Sequence, residues 1–223
     1  KDVVGMIEVT YIDHMGSDLS VVNAARVSFG KQSEWMPRVH NGEAKVLQLK
    51  DDRLIKYLAK HKHISPFGHA FASFHVKAPV YVARQLVKHK FLRWNEISRR
   101  YVDDDPEFYV PEVWRGRSAD KKQGSEGEVS TNANIVYHNN VMLGLYKQQL
   151  AEGVCPEQAR GILPQSMLTE WYWSGSLDAF ADMCNLRCKS DTQFETQIVA
   201  NLISKSMSTF FPVSWKALRE NEE

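Results

Sequence analysis

Cysteine is scarce: Cys155, Cys184 and Cys188 are the only three in 223 residues, and no two stand in a C-x-x-C pair. That excludes a disulfide framework and a zinc ribbon. It fits free thiols in a reducing compartment, so the expected location is the cytoplasm, or a host cytoplasm. No apolar run approaches the roughly 20 residues of a membrane span, and no signal-peptide pattern opens the chain. Neither G-x-G-x-x-G nor a Walker loop occurs, which removes the commonest phosphate cradles. Internal repeats are missing too. So is a charge of one sign: 28 Lys+Arg stand against 27 Asp+Glu, a formal net charge of +1. Such a balance argues against a bulk electrostatic binder of nucleic acid.

What is present describes an ordinary globular chain. Residues are 43% hydrophobic and 25% charged, which is far from the composition of a disordered segment. A chain of this length buries about 70% of its unfolded surface and needs no staple, so a single domain over 1–223 is expected.

Met6 to Ile12 is rich in β-branched and apolar residues and predicts a strand. Helical spacing follows over 18–29, a loop over 30–43, and helical spacing again over 47–59. From Phe71 to Lys77 the chain alternates, with Ala72, Phe74 and Val76 on one face. Pro79 then suits a helix start, and Val80, Ala83 and Val87 form the expected apolar stripe of that helix. The polar stretch 116–134 predicts a mobile surface loop. Helices are predicted over 135–151, 156–162, 177–187 and 194–210, and a strand over 167–173. This mixed order, without regular βαβ alternation, gives an α+β fold: a mixed sheet with flanking helices.

The chemistry concentrates in Lys88–Tyr101, which reads KHKFLRWNEISRRY. Five strong cations (Lys88, Lys90, Arg93, Arg99 and Arg100) share it with one acid, Glu96. Cations can hold a phosphate while Asn95, Glu96 and Ser98 read an attached heterocycle. Two other readings remain open: a solvated basic loop, and a single-stranded nucleic-acid platform with Phe91, Trp94 and Tyr101 as stacking surfaces.

The segment resembles the signature of flavin-dependent thymidylate synthases, R-H-R-x-x-S-x-N-E-x-S-x-R-Y. His89, Asn95, Glu96, Ser98, Arg100 and Tyr101 match it; Lys88 and Lys90 stand where Arg is usual, and Arg93 where Ser is usual. Further family-like segments are AARVSF at 24–29, HISPFGH at 63–69, FHVKAP at 74–79, VARQ at 82–85, ARxxLP at 159–164 and NLR at 185–187.

The resemblance implies conversion of dUMP to dTMP by reductive methylation at C5. Methylenetetrahydrofolate would donate the carbon, FAD would mediate the redox step and NADPH would be the reductant. It also implies a homotetramer with active sites shared between subunits; no nucleic-acid, membrane or metal partner is expected, the histidine spacing fitting no H-E-x-x-H pattern. Uracil C5 is a weak nucleophile, and a fixed guanidinium that stabilises charge along N3–C4–O4 activates it; Arg187 matches the family arginine with this catalytic role. For dUMP the matching positions are Gln85, Lys88, Glu96, Ser98, Arg99, Arg100, Arg160 and Arg187. Arg100 and Arg160 are the phosphate candidates, and Arg99 the candidate for a backbone contact. For FAD they are Ser28, His63, Ser65, Lys88, His89, Lys90, Asn95, Glu96, Ser176, Asp178 and Asp182. The last three depart from the family pattern, as does Gly68, and the two acids oppose a flavin phosphate. A same-fold variant that hydroxymethylates, or acts on a related pyrimidine nucleotide, is the alternative expectation.

Overall fold

The computed structural model describes residues 4–36, 45–102, 104–120 and 124–219. In chain order the strands and helices are β1 (Val4–Gly5), β2 (Glu8–Met15), α1 (Asp18–Arg26), α2 (Leu49–Lys60), β3 (Phe71–Pro79), α3 (Val80–Leu86), β4 (Leu92–Glu96), β5 (Phe108–Tyr109), β6 (Arg115–Arg117), β7 (Ser125–Glu128), α4 (Ile135–Ala151), α5 (Pro156–Ala159), β8 (Leu168–Ser176), α6 (Leu177–Arg187), α7 (Phe194–Phe210) and α8 (Pro212–Arg219). Short 3-10 turns lie at Val27–Phe29, Ser65–His69 and Arg160–Ile162.

The centre is a four-stranded antiparallel sheet in the order β2-β3-β8-β4. The predicted alternation holds: Ala72, Phe74, Val76 and Ala78 of β3 are buried, and Trp171 and Trp173 of β8 bury the same face. Helices α6 and α7 cover that face through Phe180, Met183, Ile203 and Met207, all fully buried in one core with Phe67 and Phe211. Burying a large apolar side chain contributes about 1.5–3 kcal/mol, so this layer dominates stability. Among the described residues no helix is long and apolar enough to cross a membrane.

Several elements depart from expectation. The first main strand is shifted to Glu8–Met15. The helix over 18–29 stops at Arg26, and Gly30 (φ 62°) ends the 3-10 turn after it in a left-handed conformation that glycine adopts without steric cost. In α3 the buried stripe is Val82, Ala83 and Leu86, while Val87 is exposed. The helix leaves β3 directly, and its first free amides are met by the segment before β8: Val80 N–H donates to Met167 O at 3.0 Å. That contact sets the helix phase. The helix predicted over 156–162 is one turn of α5 plus a 3-10 turn.

The stretch 116–134 is not one loop. It contributes to an antiparallel hairpin of β6 and β7, with Arg115 opposite Glu128; residues 121–123 lie outside the described set. The short strands β1 and β5 went unpredicted, and so did two longer elements, β4 and α8. Charge masked β4 inside the basic segment, although Leu92 is buried and Trp94 pairs with Trp173. Helix α8 starts at Pro212, and a distant side chain caps it: Asp18 accepts from Val213 N–H (2.9 Å) and Ser214 N–H (2.8 Å).

Candidate functional site

Helix α3 ends at Leu86, and the chain turns through Val87–Phe91 into β4. Phe91 takes a left-handed φ of 63° and is exposed. This turn presents Lys88, His89 and Lys90 beside the C-terminal end of α6 and the first turn of α7. Arg187, the last residue of α6, reaches back across it. Its Nε donates to His89 Nε2 at 3.0 Å, and its Nη2 donates to the Gln85 carbonyl at a long 3.4 Å.

The first of these bonds fixes a tautomer. His89 Nε2 accepts, so the ring is neutral and its proton sits on Nδ1. Burial, with the Arg187 charge second, pulls His89 down to about 4. Burial also lowers Arg187 from its ordinary value, but a guanidinium stays charged.

Gln85, Lys88 and Arg187 face a cavity of about 730 Å³. Its lining also includes Trp114, Arg115 and Ser125 at the β6–β7 hairpin, and Tyr81, Tyr109 and Glu195. Arg115 is locked to the turn by bonds to Ser125 Oγ (2.7 Å) and Ser125 O (3.1 Å), and lies over the Phe194 ring at 5.2 Å. Burial first, then Glu195, raises the pKa of both Tyr81 and Tyr109, so their phenols stay protonated as donors. A lining of cations, amides and aromatic rings suits an anionic group joined to a flat ring.

The other proposed nucleotide residues lie outside this lining. Glu96 accepts from Thr169 Oγ1 (2.6 Å) and Trp94 Nε1 (3.0 Å), so both carboxylate oxygens are engaged. Ser98 Oγ accepts from Arg100 N–H at 3.3 Å, and the Arg100 guanidinium rests on the Tyr101 ring at 5.1 Å. Arg99 is buried, and its Nη1 donates to Asp104 O (2.6 Å) and Oδ1 (2.8 Å). Its side chain is therefore committed to Asp104. Arg160 is exposed and donates to the Glu157 carbonyl at 3.2 Å.

Of the candidate flavin positions, Lys88 and Lys90 are exposed and have no acidic partner among the described residues. Ser28, His63, Ser65 and Asn95 are exposed as well, with the His63 ring edge-on to Tyr57 at 6.0 Å. Ser176 is buried where β8 passes into α6. Asp178 lies in the first turn of α6, and its Oδ1 is a buried acceptor with no hydrogen-bond partner among the described residues. Asp182 is exposed on the same helix. Among the described residues no group of three or more His, Cys, Asp or Glu is arranged to hold a metal ion.

The stacking platform for single strands loses its middle member. Trp94 is half-buried and stacked on Trp171 at 4.3 Å, which leaves Phe91 and Tyr101 as the exposed rings. Sequence reasoning missed Tyr81, Tyr109, Arg115, Gln193, Glu195 and Thr196 altogether. A signal existed for the last three: Asp191-Thr192-Gln193 stands just before an apolar-periodic run, where a helix N-terminus exposes free amides and its first-turn polar side chains. Nothing local marks Arg115, which long-range folding alone carries to the cavity.

Residues 10–213 match a family model described as thymidylate synthase complementing protein. A flavin-dependent thymidylate synthase of Thermus thermophilus is 35% identical over 96% of this chain and 76% of its own length. One of Thermotoga neapolitana is 37% identical over 96% of this chain and 90% of its own. Among solved structures, a UMP/dUMP methylase from Streptomyces cacaoi bound with 5-Br UMP superposes with a TM-score of 0.80 at 28% identity, covering 97% of this chain and 95% of its own.

Proposed function

The chain belongs to the flavin-dependent thymidylate synthase family, and from that premise we propose that it converts dUMP to dTMP by reductive methylation of C5. The observation that carries this reading is the pre-set guanidinium. Arg187 is fixed by neutral His89 and by the Gln85 carbonyl, and it lines the cavity. A cation held in place before the substrate arrives stabilises negative charge spreading over N3–C4–O4 without reorganising during the reaction. That charge raises electron density at C5, the carbon that is to be methylated. No cysteine takes part as a nucleophile in this reading; Cys184 is fully buried and donates to Ala200 O at 3.5 Å.

Gln85 and Lys88 bind the nucleotide from the cavity side, and Arg100, Arg160 and the Arg99 backbone take its phosphate. Because Ser98, Arg99 and Arg100 stand apart from the wall that holds Gln85 and Arg187, one complete site draws on two copies of the chain. We take the assembly to be a homotetramer. An exposed stripe on α4 supports it: Tyr137, Val141 and Leu145 stand at four-residue spacing on one helix face.

The residues present fit a flavin. Lys88 and Lys90, without an acidic partner among the described residues, suit its pyrophosphate, and Asp178 Oδ1, unpartnered among the same residues, suits a ring or amino N–H donor. Ser28, His63, Ser65, Asn95 and Ser176 supply the remaining hydrogen bonds. FAD bound there would carry the reducing equivalents, with NADPH as their source. The free cysteines support action in the cytoplasm.

A second reading is methylation of UMP as well as dUMP, favoured by the fold shared with the UMP/dUMP methylase. One experiment tests both. Purified protein with FAD, NADPH and labelled methylenetetrahydrofolate is given dUMP or UMP, and the products are resolved by mass spectrometry. Labelled dTMP supports the proposal, a hydroxymethylated product points to the variant chemistry, and no product from either nucleotide overturns it.

A further inference from the structure

The Gln85 carboxamide is gripped at both ends by the start of α7. Its Nε2 donates to Gln193 Oε1, and its Oε1 accepts from the Thr196 hydroxyl at 3.0 Å. A carboxamide has two opposite ends, so a chain of them runs in a single direction once a neighbour of fixed polarity anchors it. Glu195 is that neighbour. An ionised carboxylate only accepts, so Gln193 turns its Nε2 toward Glu195 Oε2 at 3.2 Å. Gln193 Oε1 is then left facing Gln85, which must present Nε2 in return, and Thr196 donates to the Oε1 that remains. Reversing Gln85 would set two acceptor oxygens against each other. Thr196 is fully buried, so solvent does not substitute for its hydroxyl.

We infer that Glu195, Gln193 and Thr196 are positioning residues for nucleotide recognition. They hold Gln85 so that its second Nε2–H and second Oε1 lone pair meet the nucleotide in a fixed order before it binds. This rests on the reading above that Gln85 contacts dUMP. The same residue also receives Arg187 through its backbone carbonyl. Helix α7 thereby steadies the recognition group while α6 supplies the activating one, and the cost of ordering Gln85 is met on folding rather than on binding.

The test separates recognition from turnover. Thr196→Val keeps the side-chain shape and deletes only the donor, which leaves Gln85 Oε1 without its partner. The expected result is a roughly ten-fold rise in KM and in Kd for dUMP, with kcat at saturating dUMP within about two-fold of wild type. Thr196→Ser restores the wild-type values. Gln193→Met, at a half-buried position, gives the same split and covers the case in which the buried Val disturbs folding. A merely structural role would lower kcat and melting temperature together and leave KM unmoved. An unchanged KM in both Thr196→Val and Gln193→Met overturns the inference and leaves the proposed function standing. Wild-type enzyme with no affinity for dUMP overturns the proposed function, and this inference with it.

Discussion

Arg187 Nε donates to His89 Nε2 across 3.0 Å, which joins the last residue of α6 to the turn after α3, 98 positions earlier in the chain. The bond sets the plane of a guanidinium that otherwise rotates about four side-chain torsions. Replacing Arg187 with Lys keeps a charge but loses the fork that holds two anchors at once. Arg187→Lys and Arg187→Ala are expected to lower kcat about 10²–10³-fold, with the oligomer unchanged by size exclusion. Turnover near wild type in either variant would remove Arg187 from its activating role.

The same pair predicts a pH dependence of stability. His89 titrates near 4 in the folded protein against an ordinary value of 6.5. Between those values the unfolded chain binds a proton that the folded chain refuses. Stability therefore falls as pH drops from about 6.5 to about 4, and this contribution is fully lost below that. His89→Gln keeps an acceptor for Arg187 but has nothing to titrate. Thermal melts of both proteins from pH 7 to pH 4 should show wild type losing more, with the difference confined to that window. Parallel curves would mean that His89 is not held neutral in the fold.

Flavin binding gives a third measurement. Pure protein is expected to be yellow, or to turn yellow with FAD, since among the described residues no carboxylate pairs with the Lys88 and Lys90 ammonium groups. Each offers a point charge where a guanidinium would offer a planar fork. Lys88→Arg is therefore expected to lower the Kd for FAD or dUMP several-fold, read from flavin absorbance and fluorescence. An unchanged Kd for both ligands would show that neighbouring groups already supply the missing contacts.

These tests rest on residues of very different legibility. Strand β3 could be read outright, because Ala72, Phe74 and Val76 face a core that spans both of its sheet neighbours. Arg187, Gln85 and the Lys88–Tyr101 segment were legible through resemblance, since the residue types and their spacing survive in sequence. The locking of Gln85 by Thr196 was not: the two are 111 positions apart and meet only when α7 folds back over α3. Strand β4 was hidden for a different reason. Its exposed face carries Arg93 and Asn95, and charge density outweighed the alternation that buries Leu92 and half-buries Trp94. Arg99 shows the limit of counting cations, because one of the five in the signature is consumed by Asp104.

An ion pair between half-buried Arg26 and buried Asp51 secures the segment that carries Ser28. Asp51 is fully buried and accepts from Arg26 Nη2 (2.6 Å), Arg26 Nε (3.1 Å) and Ser33 Oγ (2.9 Å). Removing one partner of such a pair strands the other's charge in a poor solvent. Asp51→Ala is expected to destabilise the fold by about 3–5 kcal/mol in urea titrations. A change below about 1 kcal/mol would show that Arg26 finds water instead.

A long-range helix cap makes the last prediction. Asp18 lies in the first turn of α1, yet its two oxygens cap α8, nearly two hundred positions away, by accepting from Val213 and Ser214 N–H. The first amides of a helix have no partner within it, and Pro212 at its start has no N–H to offer. Asp18 does the work of an N-cap residue from another element, and its negative charge also faces the positive end of the α8 dipole. Asp18→Ala should therefore cost about 1–2 kcal/mol, as cap deletions do. The loss should concentrate in α8, with faster amide exchange at Val213 and Ser214 than in α7. Asp18→Asn keeps an acceptor for one amide and should recover about half of the loss. Uniform faster exchange across the sheet would mean instead that Asp18 supports the core as a whole and that α8 does not depend on this cap.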